Sequence, residues 1–209
     1  MNIELHNFFP TPVMSADFKR EFSIEEKEFF KTQIAGDLKY NGGGSKKNSI
    51  SNNLKILEER EMENLKYDIL EMIYLFIKQI YRPSTDVLPY ITQSWITVTK
   101  EGEHHHMHSH PNSFISGTLY IDADENVDSI IFTKPNLYNS IKLHTNEFNS
   151  FNTLSEKIVS KTGKIVLFPS HLDHYVSTKV GKNIRTTLTF NSFLKGTIGS
   201  ADALTELIL

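Results

Sequence analysis

Not one of the 209 residues is cysteine. That absence excludes disulfides, thiolate zinc sites, iron–sulfur ligation and cysteine nucleophiles. It fits a reducing compartment. A strong charge of one sign is lacking too. The 22 basic and 25 acidic residues leave a formal net charge of -3, so the overall electrostatics favour neither nucleic acid nor an anionic membrane. No stretch approaches the length of a membrane span. Met1-Asn2-Ile3-Glu4-Leu5 has no basic region followed by a long apolar run, so no signal peptide is expected. The expected location is the cytoplasm, that of the host for a phage-encoded chain. What is present is a 39% hydrophobic content, enough for one good core.

Residues 1–22 read as an extended lead-in, with Phe8, Phe9 and Val13 around two prolines. Ser23 followed by Glu26 is a capping-box pattern opening a short helix, and Gly36 can end it. A glycine-rich stretch at 42–45 precedes two lysines. It lacks the Gly-Lys-Ser/Thr ending of a phosphate loop and has no strand before it, so it reads as a flexible loop. Over residues 53–81, Leu54, Leu57, Leu65, Ile69, Ile73, Phe76 and Ile80 recur at helical spacing, which predicts one long helix lying on a sheet. Arg82-Pro83 closes it.

After Pro89 the apolar period changes to two. Strands are expected at 90–99, 104–108, 114–122, 129–132, 140–143, 164–168, 174–177 and 184–193, separated by turn residues such as Glu101-Gly102 and Thr162-Gly163. Many short strands with such breaks predict a sandwich or barrel. The expected organisation is one domain: a flank over 1–89, a metal-binding core over 90–193 and a tail over 194–209.

Five of the nine histidines fall within seven residues, His104-His105-His106-Met107-His108-Ser109-His110. Successive side chains of a strand alternate faces, so His108 and His110 share one. Two residues apart, they can offer two nitrogens to one ion. Imidazole suits iron, zinc, copper and nickel. The best source of a third ligand is His174, which follows the apolar strand Ile165-Val166-Leu167-Phe168. The trio expected to bind metal and carry the chemistry is therefore His108, His110 and His174. A histidine run can also be a solvated surface scavenger, and His104, His105 and His106 are read as redundant.

His108-Ser109-His110-Pro111-Asn112, then Ser116-Gly117-Thr118-Leu119-Tyr120-Ile121-Asp122, then Phe168-Pro169-Ser170, His174 and Arg185-Thr186-Thr187-Leu188-Thr189-Phe190-Asn191 carry a resemblance in their order and spacing. The chain resembles the iron(II)- and 2-oxoglutarate-dependent oxygenases, and within them a prolyl-4-hydroxylase-like group of small bacterial and phage proteins. The resemblance covers roughly residues 90–193. It implies a mainly β fold, the double-stranded β-helix or jelly roll with N-terminal flanking helices, holding iron at one open end. The family's ligands are a histidine, a carboxylate two residues later and a distal histidine. His108 matches the first and His174 the last. Arg185 matches the arginine that pairs with the far carboxylate of 2-oxoglutarate, Thr187 the hydroxyl residue two positions on, and Tyr120 a tyrosine that often bonds the same carboxylate. Position 110 departs: it is histidine where the family has Asp or Glu, and no acidic residue lies between Glu103 and Asp122.

The resemblance implies an oxidoreductase: Fe(II) and 2-oxoglutarate as cofactor and cosubstrate, an unidentified substrate (peptidyl by analogy) hydroxylated, succinate and CO2 as coproducts. Two other readings stand beside it. One is a three-histidine metal dioxygenase that does not use 2-oxoglutarate, for which Arg185 would not hold a cosubstrate. The other is a non-catalytic jelly-roll module with an inert metal, which requires a site with no open position. A homodimer is the expectation from base rates alone.

Overall fold

The computed structural model describes residues 1–6, 8–41, 47–134 and 144–209. The chain begins with strand β1 (Met14–Asp17) and helix α1 (Ile24–Ala35). The capping box forms as expected: Ser23 Oγ accepts from the Glu26 amide at 3.2 Å, and the Glu26 carboxylate accepts from the Ser23 amide at 2.7 Å. Two short strands follow, β2 (Leu38–Tyr40) and β3 (Ser49–Ser51), and then helix α2 (Glu63–Ile80).

Helix α2 is shorter than the periodicity predicts. Residues 56–62 form two 3-10 turns instead, Ile56–Glu58 and Arg60–Met62. The Leu57 amide donates to Ser94 Oγ at 2.8 Å, so it is lost to any helical ladder. Glu59 between the turns is extended, with ψ 147°. The apolar spacing survives because Ile56, Leu57 and Met62 are fully buried all the same.

The remaining strands are β4 (Val87–Thr99), β5 (His105–His108), β6 (Ile115–Asp122), β7 (Ser129–Thr133), β8 (Ser155–Val159), β9 (Lys164–Pro169), β10 (His174–Val176), β11 (Arg185–Ile198) and β12 (Leu207–Ile208). Strands β2, β3 and β12 span two or three residues each, too short to carry a period, and β1 and β8 lie outside the strands that the sequence predicts. The strand expected at 140–143 and the glycine-rich loop lie outside the described residues.

The strands form two sheets. The larger runs β1-β9-β6-β11-β4-β3-β2, with β12 on β11; the smaller runs β5-β10-β7-β8. This is a mainly β, two-sheet architecture of the jelly-roll kind. Closure into one continuous double-stranded β-helix does not occur among the described residues. No named strand of one sheet pairs with a named strand of the other, and an isolated bridge between Lys47 and His104 joins them at one corner.

Alternation on the large sheet divides two cores. Ile96, Leu119, Leu167, Leu188 and Phe190 join the cluster of Leu65, Ile69, Ile73 and Phe76 from α2. Tyr120, Val166 and Phe168 point the other way and pack with Ile130, Phe132 and Leu172 between the sheets. Thr97, Thr187 and Tyr120 stand abreast on β4, β11 and β6, facing that inner space. No helix among the described residues is long and apolar enough to cross a membrane.

Candidate metal centre

The site forms where β5 meets β10. Their pairing sets His174 opposite His108, then shifts so that Val176 lies opposite His105. Three steps on β5 thus match two on β10, which is a β-bulge. The bulge breaks the alternation assumed from the sequence. His105 and His108 stack with ring centroids 4.2 Å apart, so His105 joins the cluster after all.

His110 lies just beyond β5. Its amide donates to the Ser170 carbonyl at 2.8 Å, and the Ser170 hydroxyl lies 2.8 Å from Ser116 Oγ on β6. This ties His110 to the large sheet and lays its ring nearly parallel to His174, with centroids 5.1 Å apart and an interplanar angle of 11°.

One ring nitrogen from each of His108, His110 and His174 lies within 4.8 Å of the others. The His108 Nδ1 is 2.8 Å from the His106 carbonyl, and the His174 Nδ1 is 2.9 Å from the Leu172 carbonyl. A carbonyl only accepts, so both Nδ1 atoms carry the proton and each Nε2 keeps its lone pair as an acceptor. The Nε2 atoms of His110 and His174 are 3.3 Å apart. Two nitrogens ~2.1 Å from a shared ion would subtend about 100° at that separation, within the range of metal coordination. The donor set therefore fits a transition-metal ion.

Burial keeps these rings neutral, as ligation requires. His110 and His174 are 8% and 5% exposed. Burial, helped by the neighbouring histidines, lowers His110 to about 3 and His174 to about 4 from an ordinary 6.5. Burial also lowers His108, and takes His105 to about 2. His105 Nε2 is 2.8 Å from the Asn41 side-chain amide, which can donate to it.

Arg185, Thr187 and Tyr120 line the same cavity of about 40 Å³ as the three histidines. Tyr120 is buried, and burial raises its phenol above the ordinary value. Arg185 is already engaged: Nη1 donates to Asp128 Oδ1 at 3.2 Å and Nη2 to Thr99 Oγ1 at 3.1 Å. Lys179 Nζ donates to the same Asp128 oxygen at 3.0 Å. All three charged residues are buried. Two cations against one carboxylate leave this cluster with one net positive charge.

The sequence does not signal Asp128, Thr99 or Lys179 as site residues: an aspartate after Asp124-Glu125-Asn126 reads as turn chemistry. An open depression of about 500 Å³ along β5 is lined by His104, His105, His106, Met107 and Tyr175. It does not include the clustered trio.

The expectation of a 2-oxoglutarate- and Fe(II)-dependent hydroxylase is corrected here. Chemistry of that kind relies on a facial triad of two histidines and one carboxylate. The cluster found among the described residues is three histidines with no carboxylate. The Fe(II) and 2-oxoglutarate pair, and the dioxygenase that uses it, fall with the missing ligand.

Residues 93–191 match the family model described as "Putative 2OG-Fe(II) oxygenase". No curated protein matches the chain. Among solved structures, the chain is similar to the non-heme alpha ketoglutarate dependent epimerase SnoN from nogalamycin biosynthesis, with a TM-score of 0.62, 8% identity, and 88% of this chain and 78% of that one covered. It is similar to HygX from Streptomyces hygroscopicus with nickel and 2-oxoglutarate bound, with a TM-score of 0.59, 10% identity, and 87% and 82% covered. It is also similar to a Pseudomonas putida prolyl-4-hydroxylase, with a TM-score of 0.55, 12% identity, and 87% and 92% covered. At such identities the likeness is one of fold, and the prolyl-4-hydroxylase is one of several distinct types that share it.

Proposed function

We propose that this chain, which carries the fold of the 2OG-Fe(II) oxygenases, is a three-histidine metal dioxygenase that does not use 2-oxoglutarate. The observation that carries the proposal is the all-histidine cluster of His108, His110 and His174. The engagement of Arg185 by Asp128 and Thr99 supports it, since the guanidinium already has a carboxylate partner inside the protein. Three protein ligands leave coordination positions open, which argues against an inert structural metal.

The bound ion would supply Lewis acidity and the redox chemistry of dioxygen. The chain's own residues do the rest. The Nδ1 bonds to the His106 and Leu172 carbonyls orient the His108 and His174 rings. Phe132 and Phe168 pack against His174 with centroids 6.0 and 4.6 Å away and keep water from that side. Three neutral ligands contribute no compensating negative charge, so the bound ion would favour an anionic substrate in the cavity.

The test is anaerobic metal loading followed by oxygen-consumption assays with and without 2-oxoglutarate. One ion per chain is expected, lost in His108→Ala, His110→Ala and His174→Ala. Adding 2-oxoglutarate to the iron(II)-loaded protein is expected to give no visible charge-transfer band and no succinate. A band that Arg185→Ala abolishes would overturn the proposal.

A further inference from the structure

Two of the three ligand rings are aimed by hydrogen bonds of their own. His108 and His174 each set Nδ1 on a carbonyl, whereas no hydrogen bond among the described residues reaches Nδ1 of His110. His110 also lies beyond the end of β5, so no strand ladder fixes its backbone. Apart from the other ligand rings, its aromatic neighbours are Trp95 and Phe168, with centroids 6.0 and 6.4 Å away. Groups that share one ion need to be held within about 0.5 Å of the productive geometry. The aim of His110 therefore depends on whatever places its backbone.

The loop between β9 and β10 does that. Its Ser170 carbonyl accepts the His110 amide at 2.8 Å, and the Ser170 amide donates to the Phe114 carbonyl at 3.1 Å. Two residues on, the Leu172 carbonyl is the partner of His174 Nδ1 at 2.9 Å. One short loop thus places the backbone of one ligand and the ring of another. A buried cluster of hydroxyls holds the loop in turn. Ser170 Oγ lies 2.8 Å from Ser116 Oγ on β6 and 2.7 Å from Ser113 Oγ, in the turn that follows His110. Ser116 Oγ donates to Asn191 Oδ1 on β11 at 2.8 Å. Ser116 and Ser170 are fully buried. Alanine would fill much of this space with no hydroxyl to satisfy, so packing alone does not call for serine. A buried polar cluster whose members are all partnered is rigid, and its bonds strengthen one another.

We propose that Ser170 is a positioning residue of the metal centre. Through Ser113, Ser116 and Asn191 it fixes the loop that sets the spacing of His110 and His174, and with it the affinity and coordination geometry of the bound ion. This rests on the three-histidine centre proposed above and not on its reaction with dioxygen.

The test is anaerobic titration of the metal-free full chain with cobalt(II), read by visible absorption and by competition with a chelator. The ligand-field bands of cobalt report coordination geometry, which a change in stability alone leaves unmoved. Ser170→Ala is expected to weaken cobalt binding about 10–100-fold, the scale for an outer partner of a metal ligand, and to shift the bands. Ser116→Ala removes one of the two hydroxyl contacts of Ser170 and leaves the loop sequence intact, so it should act in the same direction by a smaller factor. The control is Ser94→Ala. Ser94 is equally buried and accepts the Leu57 amide on the α2 side of the large sheet, away from the ligands. It should lower the melting temperature and leave cobalt affinity and bands as in wild type. Affinity within about twofold of wild type and unmoved bands in Ser170→Ala overturn the proposal, and so does an equal effect in Ser94→Ala. Should Ser170→Ala not fold, Ser116→Ala decides by the same two readings. Wild type that binds no cobalt overturns the metal centre and this role together. Wild type that binds it beside unchanged serine variants overturns this role alone.

Discussion

A histidine's surroundings decide what its imidazole can do. His108 and His174 each give the Nδ1 proton to a carbonyl and keep Nε2 for a metal, whereas His105 has its Nε2 beside the Asn41 amide. Packing alone joins His105 to the trio, through the stack on His108. His105→Ala should therefore keep one metal ion per chain, with affinity reduced by less than about tenfold, the scale expected of an outer partner. His108→Ala should lose the ion. Metal analysis after dialysis, run on both variants, separates a ligand from a neighbour; loss of the ion in His105→Ala would make it a fourth ligand. Arg185 shows the same dependence on surroundings. Its position matches a cosubstrate anchor, but Asp128 and Thr99 take up its donors.

The site depends on strands held at close spacing. Strand β6 runs between β9 and β11, with Gly117 opposite Leu167 on one side and Phe190 on the other. A Cβ at Gly117 would come within 2.5 Å of Leu167 Cδ2 and 2.5 Å of Phe190 Cζ. Both neighbours are fully buried, so neither can swing away. Gly117→Ala should cost about 1–3 kcal/mol through overpacking, read as a lower urea midpoint at an unchanged slope. A change under about 0.5 kcal/mol would show that the sheet relaxes around the methyl. Strand β5 shows the opposite case, where one extra residue in a bulge is what brings His105 and His108 to the same face.

Over the whole molecule, the buried histidines link stability to pH. An unfolded histidine titrates near 6.5, while His174 and His110 in the folded chain are lowered to about 4 and about 3. Below 6.5 the unfolded chain therefore binds more protons, and stability falls with pH. Their contribution is fully present above about 6.5 and is lost as pH falls through the folded values. The metal-free protein should show a urea midpoint that declines from pH about 6.5 toward about 4. His110→Ala should flatten part of that slope. Zinc in excess should raise the midpoint near neutral pH by mass action, with the gain vanishing in acid as protons compete for the ligands. A midpoint independent of pH over this window would mean that the rings are solvated in the folded chain.

The sequence by itself determined the features that local chemistry sets. The Ser23 capping box and the switch to a period of two after Pro89 need only neighbours along the chain. The trio with His174 was legible because a histidine leaving an apolar strand stands out. Features resting on contacts between distant segments were decided by the tertiary structure alone. The bulge beside His174 recruits His105, and the closing of Asp128 onto Arg185 and Lys179 spans more than fifty residues. Ser94 capturing the Leu57 amide shortens α2. Asn48 and Thr97 are ordinary polar residues until burial leaves their side-chain atoms without a partner among the described residues. Alternation and spacing act through the nearest covalent neighbours, so they can be read from the chain. Register, bulges and the pairing of buried charge follow from the total burial and hydrogen bonding of the folded molecule, which no short segment encodes.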